Sequence, residues 1–105
     1  MTEHANVTHR IKLTSRFVRP VLDGRKRFEV RDDDRHYEVG DLVQFRTVDM
    51  EGRGFGESDF CPDYCTAEEG GALYGRRFRV TYVLHGWAIK EGYCAFGFEE
   101  ATDGE

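Results

Sequence analysis

The chain has 105 residues, 39% of them apolar and 13% aromatic, with 12 Gly, 2 Pro and a formal net charge of -5. That length holds one modest core and no second domain, and aromatic and glycine residues in these amounts suit short strands and tight turns better than a helix bundle. No apolar run is long enough to cross a membrane and residues 1–10 lack the apolar centre of a secretion signal, so a cytoplasmic protein with no membrane contact is expected. Cys61, Cys65 and Cys94 are an odd number, which fits thiols in a reducing compartment better than a disulfide framework.

In chain order, residues 1–7 read as a frayed polar tail. Thr8 to Leu13 alternates Ile11 and Leu13 with Arg10 and Lys12, the pattern of a half-buried strand. A short helix follows from Ser15 to Asp23: Thr14 and Ser15 offer an N-cap, Phe17, Val18, Val21 and Leu22 recur at helical spacing, and Gly24 suits the position after the helix. Pro20 lies within it and implies a kinked or partly 3₁₀ turn. The period then changes to two, which places Phe28 and Val30 inward and Arg27, Glu29 and Arg31 outward.

Polar turns at Asp32 to His36 and Val39 to Asp41 lead into an apolar-rich strand from Leu42 to Val48. Residues from Asp49 to Tyr74 are rich in glycine and acid and show no period, so an acidic loop or insertion at about 50–73 is expected. Strict alternation resumes from Arg76 to Leu84, with Phe78, Val80, Tyr82 and Leu84 on one face. A connection from His85 to Gly92 carries Trp87 and Ile89 inward. Tyr93 to Phe98 forms the last strand, with Cys94, Phe96 and Phe98 sharing a face and an acidic tail beyond. One domain at 8–99 with tails at 1–7 and 100–105 results. The fold class is mainly β, a β-rich α+β domain of five to six strands and one short N-terminal helix. Closing the sheet into a small barrel would remove its edges, with Phe28, Val30, Phe45, Phe78, Val80, Phe96 and Phe98 filling the middle.

Net charge conceals a segregation. Arg16 to Arg31 holds six basic residues against two acidic ones, while Asp49 to Gly70 holds seven acidic residues against Arg53. A local positive field can survive beside a negative loop because screening acts over about 8 Å. Within the basic segment, Gly24 to Arg31 reads GRKRFEVR. Glu29 and Arg31 are neighbours on one strand face with Lys26 just before them, so the carboxylate can orient an ammonium and a guanidinium whose planar fork suits phosphate or a base edge. An ordinary surface ion-pair strand, contributing about 0–1 kcal/mol, is the plain alternative.

The spacing Gly-x-Lys-x-x-Glu-x-Arg at Gly24, Lys26, Glu29 and Arg31 resembles the signature of the ASCH superfamily of PUA-like β-barrels. The resemblance extends through THRIKL, Phe17, Asp34-Arg35, EVGD at Glu38 to Asp41, YGR at Tyr74 to Arg76, VTYVL at Val80 to Leu84 and EGYCAFGF at Glu91 to Phe98. These segments look like a small ASCH-like domain of unknown function found mainly in phages and bacteria and often labelled RNA-binding. The resemblance implies a pseudo-barrel with a cleft beside the first helix that holds RNA or a nucleotide-sized ligand. Lys26, Arg31 and Arg35 would then donate to phosphate or base edges, Glu29 would orient them or accept from an exocyclic amine, Asp34 would join the site, and Tyr37 or Tyr93 would stack on a base.

Hydrolysis of RNA or of a modified nucleoside is the alternative. Amidohydrolases of the superfamily carry a threonine nucleophile where this chain has Glu29, and a carboxylate attacking an amide would form an anhydride. Glu29 could instead activate water, with Lys26 or Arg31 stabilising the oxyanion. His9 is a further candidate for proton transfer, set against a hydrogen-bonded structural role. No cofactor is implied. No metal site is expected either: Cys61 and Cys65 at i and i+4 would need two further ligands, Cys94 lies on an apolar face, and His85 has no recognisable spacing partner. A monomer is expected, and the acidic Glu57 to Glu69 segment offers a third function, binding of a basic host protein.

Overall fold

The structure, a computed structural model, describes residues 6–49 and 64–101. In chain order it contains β1 (Thr8–Thr14), a 3₁₀ turn (Ser15–Phe17), α1 (Val18–Leu22), β2 (Phe28–Asp32), β3 (Leu42–Val48), α2 (Ala67–Tyr74), β4 (Phe78–Leu84) and β5 (Tyr93–Glu100). The five strands form one mixed sheet in the order β1-β3-β4-β5-β2; β1 runs parallel to β3 and the other pairings are antiparallel. The chain is a β-rich α+β domain, and no helix among the described residues is long and apolar enough to cross a membrane.

β1 follows its pattern: His9, Ile11 and Leu13 are buried and Thr8, Arg10 and Lys12 exposed. The helical segment divides. Ser15–Phe17 turns as 3₁₀, and α1 restarts at Val18. Pro20 therefore falls in the first turn of α1, where a missing N–H leaves no hydrogen bond unmade. The expected cap is not made, because the Thr14 side chain forms no capping bond. Gly24 ends the helix at φ 84°, its N–H on the Val21 carbonyl at 3.2 Å, a conformation that glycine adopts without a Cβ clash.

β2 reverses the expectation. Phe28 and Val30 are 55% and 54% exposed, whereas Glu29 is only 6% exposed. β2 is an edge strand with a hydrogen-bonded neighbour on one side, β5. Its inward face meets the charged partners of Glu29 rather than the apolar core, so the alternation is real but its sense is inverted. The core consists of Ile11, Leu13, Val18, Val21, Tyr37, Val43, Phe45, Cys65, Leu73, Phe78, Val80, Cys94, Phe96 and Phe98. Phe45, Phe78 and Phe98 pack as a mutual triangle with ring centroids 5.2–5.5 Å apart, the tilted geometry that aromatic quadrupoles prefer.

Two further differences have local causes. A register shift between Val80 and Tyr82 breaks the β4 alternation, so Tyr82 turns outward at 65% exposure while Val83 packs against the core. Trp87 is 91% exposed, not inward, at a left-handed φ of 57° in the β4–β5 connection. Part of the expected acidic loop is helix. α2 begins with a capping box in which Thr66 Oγ1 accepts from the Glu69 amide at 3.1 Å and the Glu69 carboxylate accepts from the Thr66 amide at 2.8 Å. α2 packs on β3, with Gln44 Nε2 donating to the Tyr74 carbonyl at 2.8 Å. Gly70 lies so close to Thr47 that an added Cβ would stand 3.1 Å from Oγ1.

Among the described residues no backbone ladder joins β1 to β2, so the expected closed barrel is not made by strand pairing. The two free edges instead face one another across a cleft, and the Arg31 guanidinium Nη2 bridges them by donating to the Lys12 carbonyl.

The capping box is the strongest local signal in α2. Thr66→Ala is expected to lower stability by about 1 kcal/mol in urea unfolding. Arg19→Ala, which removes the exposed pair with Glu69, is expected to have the smaller effect in the same measurement, because a solvated ion pair is screened.

Candidate ligand cleft

The cleft lies between the edges of β1 and β2 and has a volume of about 560 Å³, within the range of about 300–1,000 Å³ common to small-molecule sites. A second depression, beside Gly24 and Arg27, encloses only 130 Å³. The floor of the cleft is built by β2, whose pleat points Glu29 inward. Lys26 Nζ lies 2.7 Å from Glu29 Oε1, and Arg31 Nε lies 3.4 Å from Oε2. The tight turn at Gly24 brings Lys26 back under the strand, where Nζ also donates to the Phe28 carbonyl at 2.8 Å. The ammonium sits 5.0 Å from the Phe17 ring centroid and 5.1 Å from that of Phe28, so aromatic faces supply cation–π contact where water is withdrawn.

One carboxylate thus holds two cations, and the cluster carries an excess positive charge. Around it the lining is nearly balanced: Lys12, Arg31 and Arg35 stand against Glu29, Asp32 and Asp34. The sequence placed Glu29, Arg31, Asp34, Arg35 and Tyr93 at one site, and the cleft brings all five together. Lys26 acts from behind, through Glu29, and is not itself in the wall. Phe17, Lys12 and Val30 also line the cleft. Phe17 could have been found as the one aromatic residue of the helical segment, between Arg16 and Arg19.

Tyr37 reaches the cleft but its ring is committed to the core, 4.7 Å from His9 on one side and 4.7 Å from Phe96 on the other. It cannot offer a face for stacking; Tyr93, on the rim with Lys90 over its ring at 5.4 Å, can. Burial pushes the Tyr37 hydroxyl up to about 12, against the opposing pull of Arg31 and Arg35. His9 lies behind Tyr37, buried, with Nε2 2.7 Å from Asp41 Oδ2. Asp41 also accepts the amides of Val7 and Glu38, so His9 anchors the turn before β3 and does not line the cleft.

Beyond the cleft wall, Asp33 accepts the Tyr37 amide at 3.2 Å and faces His85 at 2.7 Å and Cys94 Sγ at 3.6 Å. Burial raises the Asp33 carboxyl, but hydrogen bonds from His85, the Tyr37 amide and Cys94 outweigh it and hold the group below its ordinary value. Burial, followed by the Asp33 charge, pushes the Cys94 thiol up to about 11. Cys65 is buried in the core, whereas Cys61 lies outside the described residues, as does most of the acidic segment. Glu69, on α2, is bound by both Nε and Nη2 of Arg19 on α1 at 3.0–3.2 Å.

Residues 8–98 match the domain of unknown function DUF3850. The chain belongs to that family. The match runs from the first residue of β1 to Phe98 of β5 and so takes in all of the sheet but the last two residues of β5, and every residue of the cleft. No curated protein matches the chain.

Glu29→Ala would leave Lys26 and Arg31 facing each other in a largely buried site. It is expected to cost about 3 kcal/mol in urea unfolding, whereas Phe28→Ala on the exposed face should stay within about 0.5–1 kcal/mol. Because the folded Tyr37 hydroxyl titrates above its unfolded value near 10, its stabilising effect is full below about pH 10 and is lost as pH rises toward 12. Alkaline unfolding followed by circular dichroism should show this loss, and Tyr37→Phe should reduce its slope.

Proposed function

We propose that the chain binds RNA, or a nucleotide-sized piece of it, in the cleft between β1 and β2. The observation that carries this reading is the Lys26–Glu29–Arg31 cluster, with two cations on one sequestered carboxylate and the Arg31 Nη2 donating across the opening to the Lys12 carbonyl. An excess positive charge at low exposure favours an anionic group, and a guanidinium held from behind is pre-set to donate in one plane. Phe17 and Tyr93 add exposed aromatic surface on the lining, suited to an unstacked base. The resemblance of Gly24, Lys26, Glu29 and Arg31 to the ASCH motif supports the same reading.

The near-balance of charge in the wall argues for a short ligand rather than a long phosphate track. Asp32 and Asp34 would repel a backbone laid along the cleft, while one or two phosphates can be met by Arg31 and Arg35. Hydrolysis stands second, because both Glu29 oxygens are engaged by cations. A carboxylate so held orients donors and has little freedom to take a proton from water. A cytoplasmic location and a monomeric state accord with this reading.

Short single-stranded RNAs and modified nucleosides, tested by fluorescence anisotropy and calorimetry, should include a saturable ligand. Affinity should fall with salt at a log–log slope of about -0.7 for each phosphate engaged, hence no steeper than about -1.5. Arg35→Ala and Tyr93→Ala should each weaken it by about 1–3 kcal/mol. Mass spectrometry should recover the ligand intact; turnover would favour the hydrolase instead. Absence of binding across the panel, or binding untouched by both substitutions, would overturn the proposal.

A further inference from the structure

We propose that Asp33, His85 and Cys94 form a binding site for one divalent cation of the zinc class. The three residues are separated by 52 and 61 positions in the chain, and the sheet brings them together. β2 ends at Asp32, β4 ends at Leu84 and β5 begins at Tyr93; Asp32 pairs with Tyr93 and Leu84 with Ala95, so all three strand termini meet at one end of the sheet. Asp33 leaves β2, His85 leaves β4, and Cys94 rises between them from the central member of the trio.

The donor atoms all lie within 4.8 Å of one another. Asp33 Oδ2 is 2.7 Å from His85 Nε2, and Asp33 Oδ1 is 3.6 Å from Cys94 Sγ. Tetrahedral zinc with bonds of about 2.0–2.3 Å sets its donors about 3.3–3.7 Å apart, so small side-chain rotations suffice to admit the ion. His85, more than half exposed, has room to make them. Sulfur, imidazole and carboxylate in one set favour zinc over magnesium or calcium. Thiolate and carboxylate together offset the charge of a divalent ion, and the Cys94 proton leaves to solvent when the sulfur ligates. Three protein ligands leave a fourth position for water, on the side where His85 meets solvent.

The surroundings are already arranged for a ligand set. Asp33 is fixed by its own amide on the Gly92 carbonyl at 2.9 Å and by the Tyr37 amide on its carboxylate, the kind of outer contact that orients a metal-binding carboxylate. Within the cluster the Cys94 thiol is the poorly used member, 3.6 Å from the carboxylate it faces, since a thiol is a weak donor. As a metal site the cluster has a structural consequence: the ion would pin the turn carrying Asp34, Arg35 and Tyr37, and with it one wall of the cleft. This site uses none of the cleft residues as ligands and stands independently of the RNA reading.

The full chain, stripped with chelator, is titrated with zinc against a competing chelating dye, and with cobalt(II) followed by absorption. One equivalent of each should bind, and cobalt should show a thiolate charge-transfer band with tetrahedral ligand-field absorption. His85→Ala, at a mostly exposed position that should leave folding unchanged, should weaken zinc by more than about tenfold, and Cys94→Ser should abolish the charge-transfer band. Cys61→Ala should change neither. No saturable binding, binding unaffected by His85→Ala, or a cobalt band lost with Cys61→Ala would each overturn the site.

Discussion

A carboxylate removed from solvent is tolerable only when its charge is matched, and the position of Glu29 governs much of this molecule. With Glu29 turned inward, Lys26 and Arg31 must come to it, because an unpaired ion there would cost several kcal/mol. Lys26 can do so because Gly24 reverses the chain at a left-handed φ of 84°. Arg31 can do so because it lies two residues along the same strand face, and from there its guanidinium also reaches the Lys12 carbonyl on the opposite edge. One charge requirement therefore shapes the turn, orients β2 and bridges the seam of an incompletely paired sheet.

The same requirement accounts for the gap between β1 and β2 among the described residues. The inner face of β2 is charged and cannot interdigitate with Ile11 and Leu13 of β1 as two apolar faces would. The edges stay apart, and the gap between them becomes the cleft. Edge exposure, usually a hazard for pairing with other chains, is moderated here by a guanidinium laid across the opening and by charged residues along both rims. Fold and candidate function thus have one origin. The polar group that prevents closure is also the one that organises cations at the opening.

The sequence was legible where burial and alternation coincide. His9, Ile11 and Leu13 in β1 and Cys94, Phe96 and Phe98 in β5 are buried as their period implies, and Gly24 adopts the conformation its position requires. It misled in β2, because a period of two gives the alternation but not which side faces in; the apolar side was the natural choice, and the ion cluster reversed it. In β4 a one-residue bulge changed the phase after Val80, a feature with no marker in the residues themselves. α2 was readable in principle from Thr66-x-x-Glu69, but Gly70 and Gly71 suppress helical propensity within it, and packing on Thr47 favours the small residue that propensity opposes. The cleft residues could be grouped because most lie close in the chain, between Phe17 and Tyr37. The Asp33, His85 and Cys94 cluster could not, since only the strand register joins its members.

The most direct test of the central claim is a double-mutant cycle between Lys26 and Glu29, with Lys26→Met, Glu29→Gln and the pair compared in urea unfolding. Coupling of at least about 1.5 kcal/mol is the result expected for a sequestered pair in one network. Coupling below about 0.5 kcal/mol, the behaviour of a solvated surface pair, would contradict it.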